Sequence, residues 1–231
     1  MSRLLALLLL LVGLVPAALA ASITVISGVL VDAVGSDNGR TFVELYGTGG
    51  ASLDGYRIVG RNGADGAVTH DVDLSGLVVP NDGFFVVADS ASGVTEVANA
   101  DFLVASFDFQ NGPDAIELVR DGVVVDAIGY GVFGAGDVFR GEGNAAAQPG
   151  PGQSLARWFA NVDTGDNALD FVLLDAPTPG FGDLFVAETP DESPHSPVPE
   201  PGAWALAVLG VAGLTAVSGR RRRRDRAGRR R

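Results

Sequence analysis

The stretch NGPDAIELVRDGVVVDAIGYG, residues 111–131, contains two runs with β-strand character that meet at Asp121-Gly122. An Asp-Gly pair readily adopts the positive φ angles that a two-residue turn between antiparallel strands requires. In the first run, Asp114–Arg120, the side chains of Ile116 and Leu118 fall on one face because successive side chains alternate. This β-hairpin is the most specific structural prediction that the sequence makes.

The sequence on either side of the hairpin repeats the same pattern, with short apolar or alternating runs separated by Gly, Asn and Asp. No long helical period competes with these runs, so the pattern predicts an all-β domain. The candidate strands are Ile23–Asp32, Thr41–Gly47, Tyr56–Gly60, Ala67–Leu74, Gly83–Ser90, Phe102–Asp108, Asp114–Arg120, Gly122–Gly131, Ser154–Ala160 and Asp170–Ala176.

The first twenty residues have the three parts of a secretory signal peptide. Arg3 supplies a charge, the run from Leu4 to Val15 is apolar, and Ala18 and Ala20 are the small residues that a signal peptidase requires. The sequence therefore predicts export and cleavage after Ala20. The alternative is that the segment is retained as a membrane anchor.

A Pro-rich linker and a membrane span are predicted after the β domain. Residues 188–197, ETPDESPHSP, contain no apolar residue other than three prolines and predict an extended linker. Residues 202–219 carry no charge over 18 residues, which is long enough for a transmembrane helix. The Arg-rich tail at 220–231 predicts a cytoplasmic C-terminus by the positive-inside rule.

Charge is divided sharply along the chain. Nine of the 16 basic residues lie in the tail, whereas residues 21–219 carry 27 acidic residues against six arginines, a formal charge of −21. An exported body with this charge repels nucleic acid, so we expect no nucleic-acid partner.

Few residues offer catalytic chemistry. The chain has no cysteine and only two histidines, His70 and His195, which excludes Cys-His catalysis and thiolate metal sites. A Ser-His-Asp site would have to use His70, and no nucleophile elbow accompanies it. We therefore predict no catalytic residue, with a glycosidase-like pair of carboxylates as the open alternative.

The segment DTGDNALD offers four oxygen-bearing side chains for calcium, namely Asp163, Asp166, Asn167 and Asp170. It lacks the spacing of an EF-hand loop, and a solvated turn with local side-chain hydrogen bonds is the alternative. No other cofactor is indicated. Residues 134–153 are rich in glycine and predict a flexible loop.

The last part of the chain resembles the PEP-CTERM sorting signal of Gram-negative bacteria. Residues 198–231 contain Val198, Pro199, Glu200 and Pro201, then the apolar span, then the arginine cluster, in the order of that signal. The resemblance implies an exosortase-type sorting protease as a partner and cleavage near Pro-Glu-Pro. Before processing the helix would hold the protein in the cytoplasmic membrane. Afterwards the protein would reach the cell surface or the extracellular polysaccharide.

The body of the chain, residues 22–187, resembles the lamin-tail domain of exported bacterial proteins. The resemblance rests on ITVISGVLVD, TFVELYGTGGASLDGYRIV, GFFVVAD, the hairpin stretch, and SLARWFANVDTGDNALDFVLLDAPTPGFGD. Phe42 departs from the tryptophan that the family often has before Val-Glu-Leu. The resemblance implies an immunoglobulin-like β-sandwich without catalytic residues.

Taken together, these patterns predict an exported, non-catalytic surface or matrix protein with a structural or adhesive role, and extracellular polysaccharide as a binding partner. The alternatives are a hydrolase that acts on matrix polymers and a calcium-dependent binding module.

Overall fold

The computed structural model describes residues 24–186, which form ten strands and one short helix. The predicted signal peptide, linker and sorting signal lie outside the described residues. No helix within residues 24–186 is long and apolar enough to span a membrane. The elements are β1 (Val25–Leu30), β2 (Phe42–Tyr46), β3 (Tyr56–Asn62), β4 (Val68–Asp73), β5 (Phe84–Ser90), β6 (Phe102–Ala105), β7 (Asp114–Arg120), β8 (Val123–Tyr130), β9 (Ser154–Arg157), α1 (Asn167–Asp170) and β10 (Phe171–Leu174).

The strands form two sheets, which confirms the predicted all-β class. The first sheet has six strands in the order β10-β9-β1-β2-β5-β6, and the second has four in the order β4-β3-β7-β8. Neighbouring strands are antiparallel except for β5 and β6, which are parallel. All ten predicted strands are present, and α1 is the element that the sequence pattern did not indicate.

The predicted hairpin is formed by β7 and β8. Asp121 and Gly122 have φ angles of +50° and +80°, and Arg120 pairs with Val123 across the turn. The register shifts between Leu118 and Val119, so that Leu118 lies opposite Asp126. Because Leu118 is buried in the core, its pairing partner Asp126 also points inward, and its side chain is fully buried.

The hydrophobic core lies between the two sheets. It combines inward side chains of the first sheet with inward side chains of the second, as expected when two sheets pack face to face. The contributors include Ile26, Val29, Val43, Leu45, Phe85, Val87 and Leu155 from the first sheet, and Ile58, Ile116, Leu118, Ile128 and Tyr130 from the second. Burial of these side chains is the main favourable contribution to the stability of the fold.

The glycine-rich segment expected to be flexible packs against the second sheet instead. The Val138 N–H donates to the Gly63 carbonyl at 2.6 Å, and Ala146 forms a bridge with Tyr130. Phe139 lies so close to Gly129 that a side chain at that position would have no room. Glycine at these positions leaves room for the loop to pack closely against the sheet, and the resulting contacts hold the loop in place.

The C-terminal segment, residues 176–186, packs against the outer face of the first sheet. Its Gly180 N–H donates to Glu44 Oε2 at 2.6 Å, and its Asp183 carbonyl accepts from the Ala160 N–H at 2.7 Å. Glu44 lies on that outer face because its neighbours Val43 and Leu45 point into the core. The segment therefore buries a carboxylate that would otherwise face water.

Candidate functional site

Arg157 lies at the centre of a buried cluster of charged side chains. It follows Leu155 on the inward face of β9, and its side chain is fully buried. Its Nη2 donates to Asp126 Oδ1 and Oδ2 at 2.8 and 3.0 Å, and its Nη1 donates to Asp170 Oδ2 at 2.8 Å. Asp126 belongs to the second sheet, so this ion pair joins the two sheets through the core.

The cluster also satisfies backbone groups of β1. Arg157 Nε donates to the Ile26 carbonyl at 2.7 Å, and the Ile26 N–H donates to Asp126 Oδ2 at 2.6 Å. β9 pairs with β1 only at Gly28 and Val29, and the two charged side chains complete the hydrogen bonds of Ile26 just beyond that pairing. Buried backbone groups need such partners because an unpaired one costs about 1–3 kcal/mol.

The turn before α1 wraps around the Asp170 carboxylate. The Thr164 hydroxyl donates to Asp170 Oδ1 at 2.6 Å, and the Thr164 N–H donates to Oδ2 at 3.0 Å. Asp163 lies at the solvent side of the cluster, with Oδ1 at 3.4 Å from Arg157 Nη1. The Arg157 guanidinium thus contacts three carboxylates, and its carbon lies 4.6 Å from the centre of the Phe171 ring.

Glu142 brings a fourth carboxylate to the cluster from the glycine-rich loop. Ligand oxygens of Asp126, Glu142 and Asp163 lie within 4.8 Å of one another. Burial, together with the charges of Asp126 and Asp163, raises the pKa of Glu142 to about 7. Burial also raises the pKa of Asp126, an effect that Arg157 opposes. Protonation of Glu142 relieves its repulsion with Asp126 and Asp163, and the buried Oε2 of Glu142 has no hydrogen-bond partner among the described residues.

The four side chains predicted to bind calcium have different surroundings. Asp163 and Asp170 contact Arg157. Asp166 caps α1 by accepting from the Ala168 N–H, and it also accepts from Asn144 Nδ2 at 2.7 Å.

Asn167 is buried and makes three hydrogen bonds with the backbone. Its Oδ1 accepts from the N–H groups of Gly129 and Glu142 at 2.8 and 2.9 Å, and its Nδ2 donates to the Ala127 carbonyl at 2.8 Å. It therefore holds the glycine-rich loop against β8. The structure brings together Asp163 and Asp170 but leaves Asp166 and Asn167 with other partners.

Asp126, Glu142 and Arg157 were not recognised as site residues from the sequence. One signal for Asp126 was present, since the alternation in β8 places it on the same face as Ile128 and Tyr130. A buried carboxylate requires a partner, and Arg157 is one of only six arginines in the acidic body. Nothing in the local sequence indicated Glu142.

The carboxylates of the cluster are grouped closely enough to bind a cation. Calcium binds six to eight oxygen atoms, and Asp126, Glu142 and Asp163 could supply carboxylate oxygens to such an ion. Arg157 already supplies a positive charge at Asp126 and Asp163, so a metal ion would lie beside a like charge.

His70 is half-buried rather than directed into solvent. Its Nε2 lies 3.0 Å from the Ser106 carbonyl, and its ring centre lies 4.7 Å from that of Phe109. These contacts fasten the edge strand β4 to the segment after β6.

An open groove lies on the outer side of the first sheet, beside the edge strand β10. It has a volume of about 370 Å³ and is lined by Trp158, Leu174, Phe181 and Asp183, among others. Phe181 also borders a second depression, of about 270 Å³, which contains Asp82, Asn99 and Asp101. Trp158 and Phe181 are 62% and 68% exposed, which is unusual for side chains of this size.

No protein-family model, curated protein or solved structure matches this chain.

Proposed function

We propose that the chain is an exported, non-catalytic protein of the cell surface or extracellular matrix, with a structural or adhesive binding role. The domain would be an immunoglobulin-like sandwich of lamin-tail type. The two-sheet all-β architecture supports this proposal, and so does the series of motifs from residue 22 to residue 183. The signal peptide and the PEP-CTERM segment supply the route to the surface.

The observation that carries the proposal is that the buried charged side chains are paired with one another, whereas large aromatic side chains are exposed to solvent. The buried charged side chains Arg157, Asp126 and Asp170 bind one another and nearby backbone groups. Large aromatic side chains are instead exposed, at Trp158 and Phe181. Charged groups that are paired in the core serve stability. Exposed aromatic side chains are typical of a binding surface, so the combination favours binding over catalysis.

Incubation of the mature protein with a panel of matrix polysaccharides tests this proposal against a hydrolase. We expect the protein to be retained by at least one polymer without any increase in reducing ends. An increase in reducing ends that disappears on substitution of a single Asp or Glu would contradict the proposal and establish the hydrolase.

Calcium-dependent binding is the second candidate function, and the grouping of Asp126, Glu142 and Asp163 is the observation that favours it. A ligand that binds only the native state must raise its stability. Melting the protein with millimolar calcium and with a chelator tests this candidate. Arg157 already pairs with two of the three carboxylates and competes with calcium for them, so equal melting temperatures would exclude this candidate. A higher value with calcium that is lost in Asp163→Asn would establish the calcium site.

A further inference from the structure

The groove beside β10 has the features of a binding surface rather than of an incomplete core. Along β9 the inward residues are Leu155 and Arg157, so Ala156 and Trp158 face outward. Val172 pairs with Ala156 and, with Leu174, continues the apolar floor onto the edge strand. Exposed aromatic faces on such a floor suit a ligand that has both an apolar face and polar groups, as a sugar ring with its C–H face and hydroxyls does.

The C-terminal segment holds Phe181 in place between the two depressions. Gly180 is bonded to the buried carboxylate of Glu44, and the Pro179 carbonyl accepts from Asn99 Nδ2 at 2.9 Å. The backbone just before Phe181 is therefore held by two hydrogen bonds, and the Phe181 side chain borders both depressions. The two depressions are therefore neighbours on either side of Phe181, an arrangement that suits successive units of a polymer.

The side chains that this surface exposes carry negative charge, because the guanidinium of Arg157, which also lines the groove, is buried on the inner side of the sheet. Asp82 and Asp101 line the second depression, and Asp183 lines the groove. Among residues 24–186, the ion pairs involve other carboxylates, and none reaches these three. Burial and the neighbouring charge of Asp82 raise the pKa of Asp101, which is the response of an acid that lacks a cationic partner.

We propose that the surface formed by Trp158, Phe181, Asp82 and Asp101 binds a polysaccharide of amino sugars that carry free ammonium groups. This inference rests on the adhesive function proposed above and specifies the class of polymer. Sugar rings lie against the two aromatic side chains, and ammonium groups lie over an aromatic ring or beside a carboxylate. A body of formal charge −21 attracts such a polymer and repels anionic ones.

Retention of the mature protein on three immobilised polymers tests the proposal. The polymers are a partly deacetylated poly-N-acetylglucosamine, the same polymer fully acetylated, and an anionic uronic-acid polymer. We expect the tightest binding to the deacetylated polymer, with an affinity that falls as salt is added because charged contacts are screened.

Two sets of variants locate the site. Trp158→Ala should weaken binding on the order of tenfold, since tryptophan is the strongest aromatic partner of a cation. Asp82→Asn combined with Asp101→Asn should weaken binding and reduce its salt dependence. The matched controls are Val123→Ala, at an exposed residue of β8, and Asp65→Asn, at an exposed residue of the turn between β3 and β4, and both should bind as the unmodified protein does. Melting curves of each variant identify any loss of binding that is due to unfolding.

The possible failures are distinct. If the unmodified protein binds the acetylated or anionic polymer equally well, or if both sets of variants bind normally, this surface is not an amino-sugar site, although the adhesive function stands. If the protein binds none of these three polymers but is retained by another matrix polysaccharide, only the amino-sugar inference fails. If no polymer of either experiment retains the protein, both proposals fail.

Discussion

Arg157 shows how one side chain can connect distant parts of this domain. Its guanidinium contacts Asp126 from the second sheet, Asp170 from the end of α1 and the carbonyl of Ile26 in β1. The isolated energetic value of a buried ion pair is small, because desolvation offsets most of the attraction. Its removal is costly all the same, since the carboxylates left behind would be buried without a partner.

We therefore predict that Arg157→Met lowers the free energy of unfolding by about 3–5 kcal/mol. Chemical denaturation measured at neutral pH tests this value. The matched control is Arg40→Met, because Arg40 pairs with Glu96 at the surface and such pairs contribute at most about 1 kcal/mol. Equal losses in the two variants would show that the buried cluster does not stabilise the domain.

Glu44 and Glu142 make stability depend on pH. Burial is the main cause that raises the pKa of each carboxyl from 4.5 to about 7. Between these values the folded state binds more protons than the unfolded state, so the free energy of unfolding falls as pH rises. The stabilisation that comes from proton binding to these two carboxyl groups is fully present below about pH 4.5 and is lost as pH rises through about 7.

We predict that the melting temperature decreases from about pH 5 to about pH 8, and that Glu44→Gln reduces the decrease. For Glu44 the free energy involved is on the order of 3 kcal/mol, and Glu142→Gln should have a smaller effect because Glu142 is more exposed. Glu96→Gln, which alters a surface glutamate, serves as the control. A melting temperature that rises over this range, or an unchanged slope in Glu44→Gln, would contradict the prediction.

Among the elements, the β7-β8 hairpin is the one best determined by its own sequence. Its turn needs positive φ at Asp121 and Gly122, and its inward alternation places Ile116, Leu118 and Ile128 in the core. Both requirements are local, so they could be predicted from residues 111–131 without knowledge of the rest of the chain.

Gly122→Ala should lower the free energy of unfolding by about 1 kcal/mol, because alanine is strained at the φ of +80° found there. The space around Gly122 is empty, so the effect isolates the backbone conformation. Gly134→Ala is the matched control, since Gly134 does not have a positive φ and no close contact opposes a side chain there. Denaturation curves of the two variants should differ, and identical midpoints would contradict this account of the turn.

The charged cluster could not be predicted in the same way, because its members come from separate elements. Asp126 and Arg157 are 31 residues apart and belong to different sheets. The segment from Asp163 to Asp170 predicts a calcium site, and in the structure Asp163 and Asp170 contact the guanidinium of Arg157. The local pattern does not indicate this contact, because Arg157 precedes the segment on a separate strand.

The glycine-rich loop illustrates a second limit of local patterns. Its composition predicted flexibility, yet Gly129 and Gly141 allow the loop and β8 to approach closely, and Asn167 bonds to the backbone of both. Glycine permits both loose and tightly packed backbone, and only the residues packed against it distinguish the two.

For the whole molecule, the central proposal is that an acidic adhesive domain is exported, held at the membrane and then released by cleavage near Pro199-Glu200-Pro201. Residues 21–219 carry a formal charge of −21, whereas nine of the 16 arginines lie in the tail at 220–231. Cleavage at the predicted motif would separate the two and leave the domain with its full negative charge.

Mass spectrometry of the C-terminus of the mature protein tests this proposal, in cells that contain the sorting protease and in cells that lack it. We predict a C-terminus close to residues 198–201 when the protease is present, with the domain recovered from the cell surface or matrix, and a longer chain when it is absent. A C-terminus that extends to Arg231 in both kinds of cell would contradict the proposed sorting.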